Sequence, residues 1–287
     1  VVTGCIREEE YANDPVGNFE QLWKIIDERY CFLEEKGIDW DAVHDKYGKL
    51  VKPGISDDDL FDILSQMLYE LKDGHVNLSS SSRISYYDAW YQGYPWNYRE
   101  DILYNYYLGS ASSGYRTSAG LKYKIFDNNI GYINLSTFSG NPSKEFKQAF
   151  LDLKKRGMTS LVIDLRNNGG GLLDESIEIA NFFLPRGKTL VTTKGKIKQA
   201  SNTYKTLREP LDLEIPLAVL VNGGTASSSE ILAGSLQDLD RAVIIGNRTF
   251  GKGLVQTTRP LPYGGTMKLT TSKYYIPSGR CVQAIDY

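Results

Sequence analysis

The sequence predicts an α/β protein with a mostly parallel sheet, preceded by a small helical unit. Beyond residue 120, apolar segments alternate with helical patterns, and the segments 161–164, 217–221 and 242–245 are apolar without alternation. Strands of this kind are buried on both faces, as in parallel sheets covered by helices. Glycine turns follow the first two of these strands, at the sheet edge where open α/β proteins bind their ligands.

The N-terminal part is predicted to form a tether over residues 1–17 and a helical unit over 18–80. Apolar residues recur there every three or four positions, as expected for helices that bury one face. Asn18 and Gln21 have the spacing of a capping box, which predicts a helix start at this point.

An aromatic-rich connecting segment is predicted over residues 81–118, before an α/β domain over 119–287. Between residues 86 and 107 the chain holds eight tyrosines and two tryptophans. Such rings either bind a peptide or a sugar, or pack a loop-rich segment onto the rest of the protein. We expect the packing role, and the binding role remains the alternative.

Composition excludes several classes of function. The formal net charge of −2 argues against a nucleic-acid partner. The two histidines and three scattered cysteines lack the spacing of a metal site or a disulfide framework. We therefore expect neither a metal nor another cofactor.

A serine and a lysine that follow glycine turns are the candidate catalytic groups. The segment 222–231 has the pattern of a turn that leads into a helix, where unpaired N–H groups stabilise a developing oxyanion. Lys252 lies between two glycines after an apolar strand, and a serine and a lysine can form a nucleophile–base pair without histidine. By residue type alone, Ser227, Ser228 and Ser229 are all candidate nucleophiles.

A phosphate-binding loop is the competing interpretation of the lysine. The segment 246–252 has the required spacing, but Gly253 replaces the Ser or Thr that binds magnesium. The residues after Gly253 have the pattern of a strand, whereas such a loop leads into a helix. Nucleotide binding is therefore not expected.

Several segments together resemble the carboxyl-terminal processing, or tail-specific, serine peptidases, which are related to tricorn. The similar segments are Asp164-Leu-Arg-Asn-Asn-Gly-Gly-Gly-Leu172, Thr225-Ala-Ser-Ser-Ser-Glu-Ile231, Thr249-Phe-Gly-Lys-Gly-Leu-Val-Gln256 and Tyr274-Tyr-Ile-Pro-Ser-Gly-Arg280. The resemblance covers about residues 120–287. It implies a catalytic core of the ClpP/crotonase type that hydrolyses peptide bonds of protein substrates through an acyl-enzyme, without a cofactor.

The resemblance also implies roles for individual residues. By motif, Ser227 matches the nucleophile, Lys252 the base and Gln256 the residue that orients the lysine. Gly170 and the N–H of Ser228 match the donors to the oxyanion.

Two further residues keep alternatives open. Asp238 matches an acidic position implicated in some members, and support of the helix is an equally good role for it. His75, in Asp73-Gly-His75, lies where tricorn-type peptidases have a catalytic histidine, so a Ser227–His75 pair is an alternative to the lysine mechanism. His44 is expected to be structural.

The chain departs from the family pattern in its turn and in its domains. Gly169 replaces the proline of the usual Asn-Pro-Gly-Gly, and no PDZ module is recognised ahead of the catalytic region. Selection of carboxyl-terminal tails is therefore not implied for this chain. A catalytically silent peptide- or glycan-binding protein on the same fold is the alternative from another class.

The segment Val2-Thr-Gly-Cys5 resembles the end of a bacterial lipoprotein signal. Lipidation of Cys5 would attach the protein to a membrane surface, and a stray cysteine in a frayed terminus is the alternative. We predict a location in the bacterial cell envelope, either in the periplasm or on a membrane surface. The sequence does not indicate an oligomeric state.

Overall fold

A computed structural model describes residues 11–87, 99–108, 116–118, 121–261 and 265–284. Cys5, with its proposed lipidation, and residues 88–98 of the aromatic segment lie outside the described residues. Across the described ranges, no helix combines the length and apolar character needed to cross a membrane.

Three helices open the described part of the chain, and strands with intervening helices follow. The helices are α1 (Pro15–Arg29), α2 (Trp40–Gly48), α3 (Asp57–Tyr69), α4 (Glu100–Ile102, continued by a π-helical segment, Leu103–Leu108), α5 (Pro142–Lys155), α6 (Leu173–Asn181) and α7 (Ser228–Asp238). The strands are β1 (Asn77–Ser79), β2 (Arg116–Ser118), β3 (Leu121–Ile125), β4 (Ile130–Leu135), β5 (Ser160–Asp164), β6 (Thr189–Gly195), β7 (Asn202–Lys205), β8 (Leu217–Val221), β9 (Val243–Gly246), β10 (Leu254–Pro260) and β11 (Thr266–Tyr275).

The larger sheet has the strand order β2-β3-β4-β5-β8-β9. Strands β4, β5, β8 and β9 are parallel, and α5, α6 and α7 lie in the connections between them. Strands β3 and β4 form a hairpin, with Asn128 and Asn129 at positive φ in its turn. Helices and strands share one hydrophobic cluster, which includes Phe146, Ile163 and Leu232. The predicted α/β core is confirmed.

A second, antiparallel sheet is built around the long strand β11. One edge of β11 pairs with β10, and the other edge pairs first with β1 and then with β6, which in turn pairs with β7. Sequence reasoning identified only the strand after Gly253, which is β10. Strands β6 and β11 are rich in threonine and lysine, so hydrophobic alternation does not mark them clearly. Each has a near partner, β7 and β10, but β11 also pairs with β1 and β6, which lie far away in the sequence.

The N-terminal helices pack against this second sheet. Residues of α1, α2 and α3 share a hydrophobic cluster with Leu254 of β10 and with Met267 and Leu269 of β11. The helical unit therefore shares its core with strands that follow it by almost two hundred residues.

The first helix begins earlier than the capping box predicted. It starts at Pro15, and the Asp14 carboxylate accepts the N–H of Gly17 at 2.8 Å. Proline at the first helical position has its φ already set and lacks the N–H that would remain unpaired there. Asn18 is buried inside the first turn, so the prediction of a cap at Asn18 and Gln21 was wrong.

Candidate active site

Ser227 occupies a sharp turn between β8 and α7. Its backbone has φ +58° and ψ −120°, a conformation that is strained for a residue with a Cβ atom. Such strain persists only where the surrounding structure enforces it, and it is concentrated at functional sites. A strand–turn–helix arrangement with a strained serine is also how α/β hydrolases present their nucleophile.

The three adjacent serines differ in what their hydroxyls do. Ser228 Oγ donates to the carbonyl oxygen of Gly171 at 2.9 Å, and Ser229 Oγ donates to that of Asn168 at 2.9 Å. Both of these serines are buried, whereas Ser227 is half-buried and its hydroxyl donates to no described residue. The geometry therefore favours Ser227 as the nucleophile.

A buried carboxylate joins the serine turn to the lysine loop. Glu230 Oε2 accepts the backbone N–H groups of Ser227 and Lys252, each at 2.8 Å. Its Oε1 accepts the Thr249 hydroxyl and the Gly251 N–H, each at 2.7 Å. The backbone nitrogens of Ser227 and Lys252 therefore lie within two hydrogen-bond lengths of each other.

The Lys252 amine lies in a setting that favours its neutral form. Burial lowers the pKa of Lys252, and the positive charge of Lys268 lowers it further, while Asp73 and Glu230 act in the opposite direction. No hydrogen bond joins Lys252 Nζ to Ser227 Oγ, two atoms that both belong to described residues. The structure thus brings the backbones of the two residues together without a hydrogen bond between their side chains.

Strand β11 supports the same two residues from the second sheet. The Tyr274 hydroxyl contacts the carbonyl oxygens of both Lys252 and Ser227, and lies 3.0 Å from that of Ser227. The N–H of Phe250 donates to the carbonyl oxygen of Thr225 at 3.0 Å, which joins the two loops directly. Backbone contacts therefore hold the serine turn and the lysine loop together from two sides.

The two predicted oxyanion donors differ in availability. The N–H of Ser228, the first residue of α7, has no partner among the described residues, as expected at a helix start. The Gly170 N–H instead donates to Asn168 Oδ1 at 2.9 Å. Gly170 lies directly against the serine turn, because a Cβ atom on it would be 2.8 Å from Ser227 Cβ.

Asparagine side chains fasten both glycine turns. Asn168 Nδ2 donates to the Leu135 carbonyl oxygen at 2.8 Å, and the Asn168 carbonyl oxygen accepts the Ala226 N–H at 2.9 Å. Asn222 Oδ1 accepts the Asn167 N–H at 2.9 Å, and Asn222 Nδ2 donates to Asn167 Oδ1 at 2.8 Å. The two turns that follow β5 and β8 are therefore one hydrogen-bonded unit.

Gln256 makes no hydrogen bond to Lys252 in the structure. Its Nε2 is buried without a partner among the described residues, and its position in β10 is directly opposite Thr270. The predicted role of Gln256 in orienting the lysine therefore remains a prediction.

Asp238 lies at the opposite end of α7 from Ser227. Since α7 has 11 residues, the two ends are roughly 16 Å apart. The Asp238 carboxylate accepts the Ser278 N–H at 2.9 Å and Arg280 Nη2 at 3.0 Å. These contacts join the end of α7 to the segment after β11, and either role of Asp238 remains a prediction.

His75 is paired with a buried aspartate. Asp73 Oδ1 accepts the His75 backbone N–H at 2.8 Å and lies 3.2 Å from His75 Nδ1. Burial acts to raise the pKa of Asp73, but the hydrogen bonds and charge of His75 outweigh it and lower that pKa. Asp73 Oδ2 also accepts the hydroxyls of Tyr30 and Thr270, which links the helices to β11.

His44 has the surroundings of a structural residue. Its Nε2 lies 3.0 Å from the Glu20 carboxylate, and its ring contacts those of Phe19 and Trp23. Within the described parts of the chain, no three His, Cys, Asp or Glu side chains are arranged to hold a metal ion.

Glu230 and Tyr274 are the residues of this site that sequence reasoning missed. The sequence does contain a signal for Glu230, because Ser227 and Glu230 have the spacing of a capping box at the start of α7. Tyr274 gave no such signal, since its contact with Ser227 crosses from one sheet to the other.

A methyl group at position 170 should disrupt the serine turn. In Gly170→Ala the new Cβ would lie 2.8 Å from the Ala226 carbonyl oxygen, in addition to the strain of φ +96°. Gly157 is the matched control, with φ +90° and no atom within 4 Å of an added Cβ. We expect Gly170→Ala to lower the free energy of unfolding by about 1–3 kcal/mol more than Gly157→Ala does, as measured in urea. Equal losses in the two variants would contradict the described contact.

Two family models match the chain. Residues 129–286, more than half of the chain, match peptidase family S41, and residues 11–69 match the tricorn protease C1 domain. No PDZ domain is matched. The CtpA-like serine protease of Staphylococcus aureus is 43% identical over 155 residues, which are 53% of this chain and 31% of that protein. The chain therefore matches about a third of the length of this relative.

Solved structures agree with the family match. A candidate peptidase from Parabacteroides merdae has a TM-score of 0.73 and 35% identity, and the match covers 95% of this chain and 87% of the other. The photosystem II D1 C-terminal processing protease has a TM-score of 0.70 and 24% identity, with 95% and 91% covered. A lipoprotein from Streptococcus agalactiae has a TM-score of 0.62 and 19% identity, with 96% and 91% covered. At these identities, the last two show the fold alone.

The comparisons confirm the predicted ClpP/crotonase-like core with N-terminal helices. Together with the extent of the family match, they establish that the chain belongs to peptidase family S41.

Proposed function

We propose that this protein is a serine endopeptidase in which Ser227 is the nucleophile and Lys252 is the general base. The main support is the arrangement around Ser227. Its strained backbone presents a hydroxyl that donates to no described residue, while the hydroxyls of Ser228 and Ser229 are bound to carbonyl oxygens. Lys252 is held beside Ser227 through their shared contacts with Glu230.

The proposed reaction begins with neutral Lys252. Its amine takes the proton from Ser227 Oγ as that oxygen attacks the carbonyl carbon of the scissile peptide bond. The new lysine ammonium then gives the proton to the departing amine, and an acyl-enzyme remains on Ser227. Water, deprotonated by Lys252, attacks the ester carbonyl carbon, and the serine oxygen leaves with that proton.

The negative oxygen of each tetrahedral intermediate requires donors in place. The Ser228 N–H is available at the start of α7, where the helix dipole also favours negative charge. The Gly170 N–H can serve as a second donor only after it leaves Asn168 Oδ1. Proton transfer similarly requires the Lys252 side chain to move until Nζ reaches Ser227 Oγ. The backbones of these two residues are already adjacent.

His75 is the second candidate for the base. The observation in its favour is the buried Asp73 carboxylate beside His75 Nδ1, the arrangement that orients the histidine of a Ser-His-Asp triad. The match to a tricorn protease domain covers residues 11–69 and ends before His75. Lys252 remains the favoured base because its backbone, unlike that of His75, shares Glu230 with Ser227.

Labelling with a fluorophosphonate probe tests the nucleophile. We expect wild type to be labelled and to degrade an unfolded protein such as casein, and Ser227→Ala to lose both properties. Ser228→Ala is the matched control, since it removes a hydroxyl but keeps the N–H, and it should be labelled like wild type. Persistent labelling of Ser227→Ala would refute the assignment. A wild-type protein that binds unfolded chains without cleaving them would instead support the silent binding protein.

The pH dependence of turnover tests the base. Below its pKa Lys252 is an ammonium and cannot accept a proton, so kcat should rise with pH and then level off. Lys268→Met removes a positive charge that lowers the pKa of Lys252, so that pKa should rise. The rising limb of the plot of kcat against pH should therefore move to higher pH. The displacement should shrink in about 1 M salt, because Lys268 is exposed and its field is screened.

Two further variants complete the pH experiment. Lys155→Met, on the exposed face of α5, is the control and should leave the limb in place. His75→Ala should retain the limb if Lys252 is the base. His75 would be assigned as the base if the rise of kcat with pH vanished in His75→Ala and stayed at the same pH in Lys268→Met. A rate that stays flat between about pH 6 and 9 would contradict the lysine mechanism.

The predicted location in the bacterial cell envelope is also a proposal, supported by the lipoprotein-like segment Val2–Cys5. Expression of a precursor with its native leader in a bacterium should yield a membrane-bound protein whose N-terminal peptide carries a diacylglyceryl thioether on Cys5. Cys5→Ser should be released into the soluble fraction. An unmodified Cys5 peptide in the mass spectrum would remove this support.

A further inference from the structure

We propose that Glu230 is the positioning residue of this site, and that its carboxylate holds the Ser227 turn and the Lys252 loop in the register needed for proton transfer. This inference rests on the proposed function of Ser227 and Lys252. It goes further in assigning their alignment to one side chain that touches neither substrate nor reacting atoms.

The contacts of Glu230 exceed those of a helix cap. In a capping box the glutamate accepts only the N–H of the N-cap residue, which here is Ser227. The Glu230 carboxylate also accepts three donors from the segment 249–252, which lies some twenty residues further along the chain. Each carboxylate oxygen therefore receives two hydrogen bonds, and Oε2 accepts one from the nucleophile residue and one from the base residue. The Tyr274 hydroxyl contacts carbonyl oxygens of the same two residues, whereas Glu230 binds their N–H groups.

The donor set indicates that Glu230 is ionised. Glu230 is only 3% exposed, and burial raises the pKa of Glu230 above its ordinary value, although its four hydrogen bonds partly offset this rise. Three of its partners are backbone N–H groups, which cannot accept a proton from a carboxylic acid. A carboxylate can accept all four hydrogen bonds. In a carboxylic acid, one oxygen would carry a proton that faces an N–H donor, and no hydrogen bond could form between them.

The charge of Glu230 also acts on the proposed base. It raises the pKa of Lys252 and so partly offsets the lowering by burial. Glu230 therefore influences both where the Lys252 amine lies and how strongly it holds its proton. A residue that only caps α7 would change neither the position nor the pKa of the Lys252 amine, and so would not alter kcat or its pH dependence.

The chain contains a matched control in Glu175. Glu175 Oε2 accepts the backbone N–H of Ser143 at 2.8 Å, at the start of α5. It is thus a half-buried glutamate that supports the start of a helix packed on the larger sheet, and it has no hydrogen bond to Ser227 or Lys252. Glu175→Gln therefore measures how much stability and kcat are lost when a carboxylate that supports only a helix start is removed.

The experiment compares kcat, KM, the pH profile and urea unfolding of wild type, Glu230→Gln, Glu230→Asp and Glu175→Gln. We expect kcat of Glu230→Gln to fall about 100-fold, the typical result of a misplacement near 1 Å, with KM changed less than about twofold. Its rising limb should move to lower pH, because a negative neighbour of Lys252 is gone. Glu230→Asp should lose kcat similarly but keep the wild-type limb, since the charge stays while the shorter side chain cannot span both loops.

The outcomes separate this inference from the proposed function. If wild type is active and Ser227→Ala is inactive, but Glu230→Gln and Glu230→Asp both keep wild-type kcat and limb, the inference is overturned and the proposed function stands. Losses of kcat that match those of Glu175→Gln, or that merely follow the unfolded fraction, overturn it as well. Labelling of Ser227→Ala defeats the proposed function instead. Should Glu230→Gln fail to fold, Glu230→Asp and Thr249→Val, which removes one donor, provide the test through a kcat reduced at least fivefold in the folded protein.

Discussion

The buried carboxylate of Glu230 is the constraint on which the arrangement of this site depends. A charge removed from water is costly unless it is fully hydrogen-bonded, and Glu230 meets that condition only if the serine turn and the lysine loop are both in place. The turn belongs to the larger sheet through β8 and α7, and the loop leads into β10 of the second sheet. The hydrogen bonds of the Glu230 carboxylate therefore fix the position of a turn of one sheet relative to a loop of the other.

Strand β11 extends the same coupling to the N-terminal helices. Tyr274 contacts the serine turn and the lysine loop, while Thr270, four residues earlier, donates to Asp73. Asp73 also accepts the Tyr30 hydroxyl at the end of α1 and holds His75. Since α1, α2 and α3 share their core with β10 and β11, a change in the helical packing would reach Lys252 through one strand.

Local patterns predicted the parts of the fold whose causes are local. The step from β5 through a glycine turn into α6 and the step from β8 into α7 each arise from residues close together in the chain, and each is present. Apart from β10 the second sheet was missed, because its central strand β11 also pairs with β1 and β6, which lie far before it in the sequence. The start of α1 was misplaced because Asp14 and Pro15 cap that helix ahead of the Asn18 pattern.

The sequence by itself determined the residue types of the site, its glycine turns and, through their resemblance to the tail-specific serine peptidases, its family. It left Ser227, Ser228 and Ser229 equivalent in chemistry. The resemblance favoured Ser227 by motif, and the tertiary structure gave the physical difference, because the hydroxyls of Ser228 and Ser229 donate to carbonyl oxygens of a turn some sixty residues away, whereas that of Ser227 does not. Whether a serine hydroxyl is free to react depends on which backbone atoms from distant parts of the chain lie next to it. A local sequence pattern does not contain that information.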